Sequence, residues 1–213
     1  MRIPRRSWSW SSSLAVRLLA AASSLAGCGQ MGLEPVPELA SDTGASGLAE
    51  AGGATSGTER CTYDGFPVLI HQATQDISDP MWPLFVYQAR DVETLPFDEL
   101  QITSYQGAPF YGPSTPGRYS LDGSNYGDCG LCVLLITDCT DGYSCDRVHF
   151  ADRGSLEVVD FGDRSGQFRA TLRDAVFREV EFDPATYWST PVPGGDSWCV
   201  DELEIQVDTQ LYY

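Results

Sequence analysis

Residues 199–208 read CVDELEIQVD, and the order of residue types in this stretch decides the fold class. Leu203, Ile205 and Val207 fall on one side of an extended chain, and Glu202, Glu204, Gln206 and Asp208 fall on the other. Val200 stands apart from the alternation. Successive side chains of a strand point to opposite faces, so this pattern describes a strand with one buried face. Residues 166–174, GQFRATLRD, repeat it, with Phe168, Ala170 and Leu172 set against Arg169, Thr171 and Arg173. The same reasoning predicts strands in PLFVYQARD (83–91), ELQITSYQ (99–106), RVHFAD (147–152), SLEVVDF (155–161) and AVFREVEF (175–182). Val133, Leu134, Leu135 and Ile136 are apolar at every position, as in a strand covered on both faces.

Turn chemistry separates these runs at Gly65–Pro67, Gly107–Pro109, Gly112–Gly117, Asp141–Gly142, Asp163–Gly166 and Pro191–Gly195. No window offers an amphipathic helix of ordinary length. Short strands with frequent turns predict an all-β domain, an antiparallel β-sandwich or jelly roll of roughly eight to ten strands.

Residues 60–213 hold all ten Tyr, all nine Phe and three of the five Trp. These 154 residues are enough for one domain with its own core. Ahead of them, residues 29–59 contain no aromatic residue and consist mainly of Gly, Ala, Ser, Pro and Glu. Such a stretch cannot bury enough apolar surface to offset its ordering entropy, so it is expected to be a disordered tether with a reach of roughly 30 Å.

Residues 1–27 have the layout of an export signal. Arg2, Arg5 and Arg6 precede a short run of Leu, Ala, Val and Ser, interrupted by Arg17 and too short to span a bilayer. The run ends in Leu25-Ala26-Gly27-Cys28, which resembles the lipobox of bacterial lipoproteins. The resemblance implies cleavage before Cys28, acylation of Cys28 and attachment to a membrane without spanning it. Several acyl chains hold firmly, because each buried methylene contributes about 0.8 kcal/mol. Gly29, where inner-membrane lipoproteins commonly carry aspartate, implies the outer membrane of a Gram-negative bacterium. The pair Arg5-Arg6 followed by Ser7-Trp8 also raises twin-arginine export, although the rest of that consensus is incomplete.

Thirteen basic residues stand against thirty acidic ones. Four of the basic residues lie in residues 1–27 and no acidic residue does, so the chain from Cys28 onward carries a net charge of −21. That charge excludes nucleic acid and anionic lipid as partners, since both require a basic face. The final residues QLYY invite comparison with an outer-membrane barrel, but Glu202, Glu204 and Asp208 would then have to face a lumen. A last sheet strand is the simpler account.

With Cys28 assigned to lipid, Cys61, Cys129, Cys132, Cys139, Cys145 and Cys199 remain, and six cysteines allow fifteen pairings. An oxidising envelope favours disulfides. Cys139 and Cys145 flank a turn and would close a hairpin; Cys129–Cys132 and Cys61–Cys199 complete the set. Zinc would use Cys129 and Cys132 as one ligand pair, but Cys139 and Cys145 follow too closely and are too widely spaced to be the second. A redox role for Cys129 and Cys132 wants a helix start after them, and a strand follows instead.

His71 and His149 are the two histidines, and both fall in strand candidates. No Gly-x-Ser-x-Gly nucleophile turn accompanies them, so a histidine-dependent hydrolase is the third of three functional expectations. Asp98–Glu99 and Asp201–Glu202 look like solvated charges. The loop from Asp122 to Asp128 groups oxygen ligands that calcium could use, yet lacks the distal glutamate of an EF-hand; Asx-turn chemistry accounts for it without a cofactor. Trp82, Phe110, Tyr111, Tyr126, Tyr143, Tyr187 and Trp188 lie in or near turns, and exposed rings can stack on sugars or anchor a protein. Trp188, Tyr187 and Trp82 are the ligand-binding candidates. The first expectation is a non-enzymatic lipoprotein with an envelope glycan or protein as partner, or with a structural role. The second is a carbohydrate-binding module.

Overall fold

The computed structural model describes residues 8–9, 60–140, 144–162 and 166–212. Cys28, the rest of the lipobox, the tether to residue 59 and Tyr143 lie outside the described residues. Among the described residues twelve strands are formed: β1 Trp8–Ser9, β2 Tyr63–Asp64, β3 Ile70–Asp76, β4 Leu84–Arg90, β5 Phe97–Tyr105, β6 Gly117–Ser120, β7 Leu131–Cys139, β8 Ser144–Cys145, β9 Arg147–Phe161, β10 Gln167–Phe182, β11 Ser189–Pro191 and β12 Ser197–Tyr212. No helix occurs among the described residues.

The alternation of β12 is realised in space. Val200 and Ile205 are buried and Leu203 and Val207 pack against them, whereas Glu202, Glu204, Gln206 and Asp208 are exposed. In β10, Phe168, Ala170 and Leu172 enter the same core. The main sheet runs in the order β11-β10-β12-β3-β4-β5-β7-β9-β6, with β2 beside β12. Because β9 also pairs with β10, the seven strands β10, β12, β3, β4, β5, β7 and β9 close into a barrel. β12 runs parallel to β2 and β3, and the other pairings are antiparallel. β1 and β8 form a separate two-stranded pair.

The single closed barrel corrects the expected sandwich or jelly roll, and the cause lies in two bends. RVHFAD and SLEVVDF are one strand, β9, and GQFRATLRD and AVFREVEF are one strand, β10. The breaks between them are bulges rather than turns: the β9–β10 register shifts between Arg173 and Val176, opposite Gly154. Gly154 has φ +125°, and a Cβ there would come within 2.7 Å of Ala175 Cα. Asp174 takes φ 49° on the partner strand. Such bulges bend a long strand without ending it, which lets β9 and β10 curl round to meet.

The barrel is filled by side chains. Phe85, Tyr87, Leu100, Leu135, Leu156, Phe168 and Phe177 are fully buried in it, and the Phe85 ring is tilted against Phe168 (4.5 Å) and edge-on to Phe161 (5.3 Å). Its outer face carries Gln72, Gln88 and Gln101 in one cross-strand row, with Arg173 bonded to Glu202 and Arg178 to Asp152. An apolar inside and a polar outside reverse the pattern of a membrane-spanning barrel.

β7 is buried on both faces. Val133 and Leu135 enter the barrel, while Cys132 and Leu134 join a second cluster on the outside with Cys129, Phe150 and Val180. Among the described residues three disulfides are present: Cys61–Cys199, Cys129–Cys132 and Cys139–Cys145. Cys132 and Cys139 stand at opposite ends of β7, roughly 23 Å apart along an extended strand, so the four central cysteines do not meet at one point.

Candidate binding surface

The outer cluster is covered by chain from three loops, and glycines set how closely they approach. Residues 107–112 form a tight turn in which Tyr111 N donates to Gly107 O (2.9 Å) and Gly112 N to Tyr105 O (2.7 Å). A Cβ at Gly112 would lie 2.1 Å from Gly130 O, and one at Gly130 would lie 2.6 Å from Phe110 O. The 107–112 turn therefore sits backbone to backbone on the chain that leads into β7. On its other side Gly107 lies against Met81 O, which brings the loop carrying Trp82 alongside.

Asn125 fastens the second loop to the third. Its Nδ2 donates to Ser189 O (2.7 Å), and its Oδ1 accepts from Ser189 N (2.8 Å) and Gly127 N (3.1 Å). Tyr126 N donates to Ser189 Oγ (3.1 Å), and the Cys129–Cys132 disulfide ties the loop to β7. Tyr126 then turns inward. Its ring lies 4.9 Å from that of Phe182 and 6.3 Å from that of Phe150, and its hydroxyl is hydrogen-bonded to that of Tyr105. Burial pushes the ionisation of both phenols upward, so they act as neutral hydrogen-bonding groups.

The third loop is built on Asp183. Its Oδ1 accepts from Ala185 N (2.7 Å) and Thr186 N (3.3 Å), and its carbonyl accepts from Tyr187 N (2.8 Å). Trp188 follows and covers Gly127, where a Cβ would meet its ring at 3.3 Å.

Three rings remain in solvent on these loops: Tyr111 is 76% exposed, Trp188 51% and Tyr187 38%. Tyr111 (φ 46°) and Tyr187 (φ 58°) both hold left-handed backbone, which an L-residue adopts at a cost and keeps only when its surroundings fix it. Tyr187 and Trp188 are thus brought together by one turn, with Trp82 exposed on the loop next to Gly107. Phe110 and Tyr126 serve as packing, with Phe110 5.5 Å from Tyr105. Chemically, the surface offers flat apolar rings on a fixed backbone within a strongly acidic molecule.

The other sequence candidates are scattered. His71 on β3 is exposed, with Nδ1 3.4 Å from the Tyr87 hydroxyl. His149 on β9 is buried: Nδ1 contacts Leu135 O at 3.2 Å, Nε2 has no partner, and burial lowers its pKa. The strands β4, β5 and β7 separate the two histidines in the sheet. In the Asp122–Asp128 loop, Asp128 Oδ1 accepts from Asn125 N (3.1 Å) and Asp122 is exposed. Among the described residues, no three His, Cys, Asp or Glu side chains gather as metal ligands. Gly107 and Gly112 fall in turns read from the sequence and Gly127 and Gly130 do not, and the importance of all four lies in what packs against them. No protein-family model, curated protein or solved structure matches the chain.

Proposed function

We propose that this chain is a lipid-anchored, non-enzymatic binding protein of the bacterial cell envelope, held by Cys28 in the outer membrane. The exposed rings of Tyr111, Tyr187 and Trp188 on interlocked loops carry this reading, because solvent-exposed aromatics fixed in position favour a partner over mere packing. The lipobox at Leu25–Cys28 supports the anchor. The tether would meet the barrel at Cys61, whose disulfide to Cys199 passes any pull on the anchor into β12. Cleavage before Cys28 would remove β1, which is no part of the barrel. In a Gram-negative host the chain should fractionate with outer membranes and Cys28→Ala should release it; unchanged membrane association of the variant refutes the anchor.

A glycan is the partner that the Tyr187–Trp188 pair favours. Adjacent exposed rings can lie against the apolar faces of sugars, and they need no basic residue, which suits an acidic protein. Binding on an array of envelope and environmental glycans should be lost in Trp188→Ala, with the melting temperature retained. Absence of binding across the array would leave a protein partner for the same rings.

A further inference from the structure

A short strap, residues 61–66 with β2 at its middle, is laid along the start of β12. Cys61 is joined to Cys199, Thr62 N donates to Ser197 Oγ (3.2 Å), Ser197 N donates to Thr62 Oγ1 (3.1 Å), and Gly65 N donates to Cys199 O (2.7 Å). Phe66 ends the strap in the core. Tyr63 stacks on Trp198 at 4.6 Å, and the Trp198 ring meets the His149 ring edge-on at 6.5 Å. The three rings form a column that runs from Tyr63, which is exposed, to His149, which is 1% exposed.

Two nitrogens of this column, His149 Nε2 and Trp198 Nε1, are buried without a hydrogen-bond partner among the described residues. Leu135 O can only accept, so His149 Nδ1 carries the proton and Nε2 holds the lone pair. A proton taken from solvent must therefore go to Nε2. Around the imidazole stand Arg147 on β9, Glu179 on β10 and Asp196 just before β12, while β7 contributes the Leu135 carbonyl. The strap adds Asp64, which is exposed. Both nearby carboxylates are already engaged: Asp196 is bonded to Arg147, and Glu179 Oε2 accepts from Asp196 N (2.9 Å). An imidazolium here is a buried cation with no acceptor at Nε2, and burial of such a group is costly.

We propose that the strap is an acid-sensitive seal: protonation of His149 at Nε2 lifts residues 62–65 off Trp198 and admits water to the column, while Cys61–Cys199 keeps the strap attached. Burial is the main cause that lowers the His149 pKa; Arg147 acts in the same sense, and Leu135 O, Glu179 and Asp196 oppose it. With water admitted, the imidazole returns toward its ordinary value of about 6.5. The open form then binds the proton more readily than the closed one, so opening grows as pH falls below about 6.5. Between pH 7.5 and 5.0 this linkage multiplies the opening equilibrium by at most about 30.

The test is hydrogen exchange on the full chain in detergent, corrected for the intrinsic pH dependence of exchange. Protection of the Thr62 and Gly65 amides and of the Trp198 indole N–H should fall about fivefold or more from pH 7.5 to 5.0. The amides of Tyr87 and Ile102, on β4 and β5, should keep theirs. His149→Gln should abolish the change. Tyr63→Ala removes the cover and leaves His149 in place, so the NMR titration midpoint of His149 should move upward; this variant carries the test if His149→Gln misfolds. Four results overturn the proposal: constant protection of the strap in the parent, an equal loss at Tyr87 and Ile102, a loss that persists in folded His149→Gln, or an unmoved midpoint in Tyr63→Ala.

Discussion

Tyr126 holds the aromatic surface to the barrel, and its removal should be felt in both stability and surface structure. Its ring packs with Phe182 and Phe150, its hydroxyl bonds to Tyr105, and its amide is held by Ser189. Truncating a buried aromatic ring to alanine costs about 3–5 kcal/mol. Tyr126→Phe keeps the ring and removes the hydroxyl bond, a loss of about 1 kcal/mol. For the 154 residues from Arg60, an unfolding entropy of about 2.1 cal/mol/K per residue amounts to roughly 0.3 kcal/mol/K. Tyr126→Ala should then lower the melting midpoint by about 9–15 °C, and Tyr126→Phe by about 3 °C. Calorimetry on the oxidised protein measures both, with agreement of calorimetric and van't Hoff enthalpies as the two-state check. Because Gly127 lies against Trp188, the alanine variant should also shift tryptophan emission to the red. The reasoning fails if Tyr126→Ala costs less than 3 °C, or if the phenylalanine variant costs as much as the alanine one.

Loop length separates the disulfides. Cys61–Cys199 joins residues 138 apart and Cys129–Cys132 residues 3 apart, so the chain-entropy relation assigns about 5 kcal/mol to the first and about 2 kcal/mol to the second. Urea unfolding of Cys61→Ser/Cys199→Ser and Cys129→Ser/Cys132→Ser should follow that order, and a reversed order would contradict it. His149 is buried as the neutral imidazole, so its folded pKa lies below the unfolded value of about 6.5. The unfolded chain then binds the proton more readily, and stability falls as pH drops below about 6.5, by at most about 1.4 kcal/mol per pH unit. Urea midpoints between pH 7.5 and 5.5 should show this loss in the parent and a smaller one in His149→Asn; parallel curves would place the titration elsewhere.

The strands were legible because burial leaves a period of two in the side chains of β10 and β12. Closure was not, since it depends on which strands meet across the barrel. Asp152 to Gly154 and Asp174 carry the residue types of turns, yet they bend β9 and β10 without interrupting them. β6 begins at Gly117, the last residue of a proline and glycine cluster, with no alternation of its own to mark it. Among the loop aromatics, composition could not distinguish Tyr126, which packs inward, from Tyr111, which does not. The difference lies in three-dimensional contacts, Tyr126 being held by Ser189 against Phe182 while Tyr111 sits on a turn in solvent.

The candidate binding surface follows from one legible feature. The run Val133–Ile136 is apolar at every position, and a barrel strand has only one face inside. Leu134 and Cys132 are left on the outer face beside Phe150 and Val180, an apolar patch that water would penalise. Some part of the chain had to cover it, and the loops carrying Tyr126 and Trp188 do so, fixed by Asn125 and the Cys129–Cys132 disulfide. Covering the patch uses the Tyr126 ring against Phe182 at the end of β10, while Trp188 lies over Gly127 with about half of its surface exposed and Tyr187 is exposed beside it. This cover ends in two consecutive exposed rings, one on left-handed backbone, and the proposed binding rests on them.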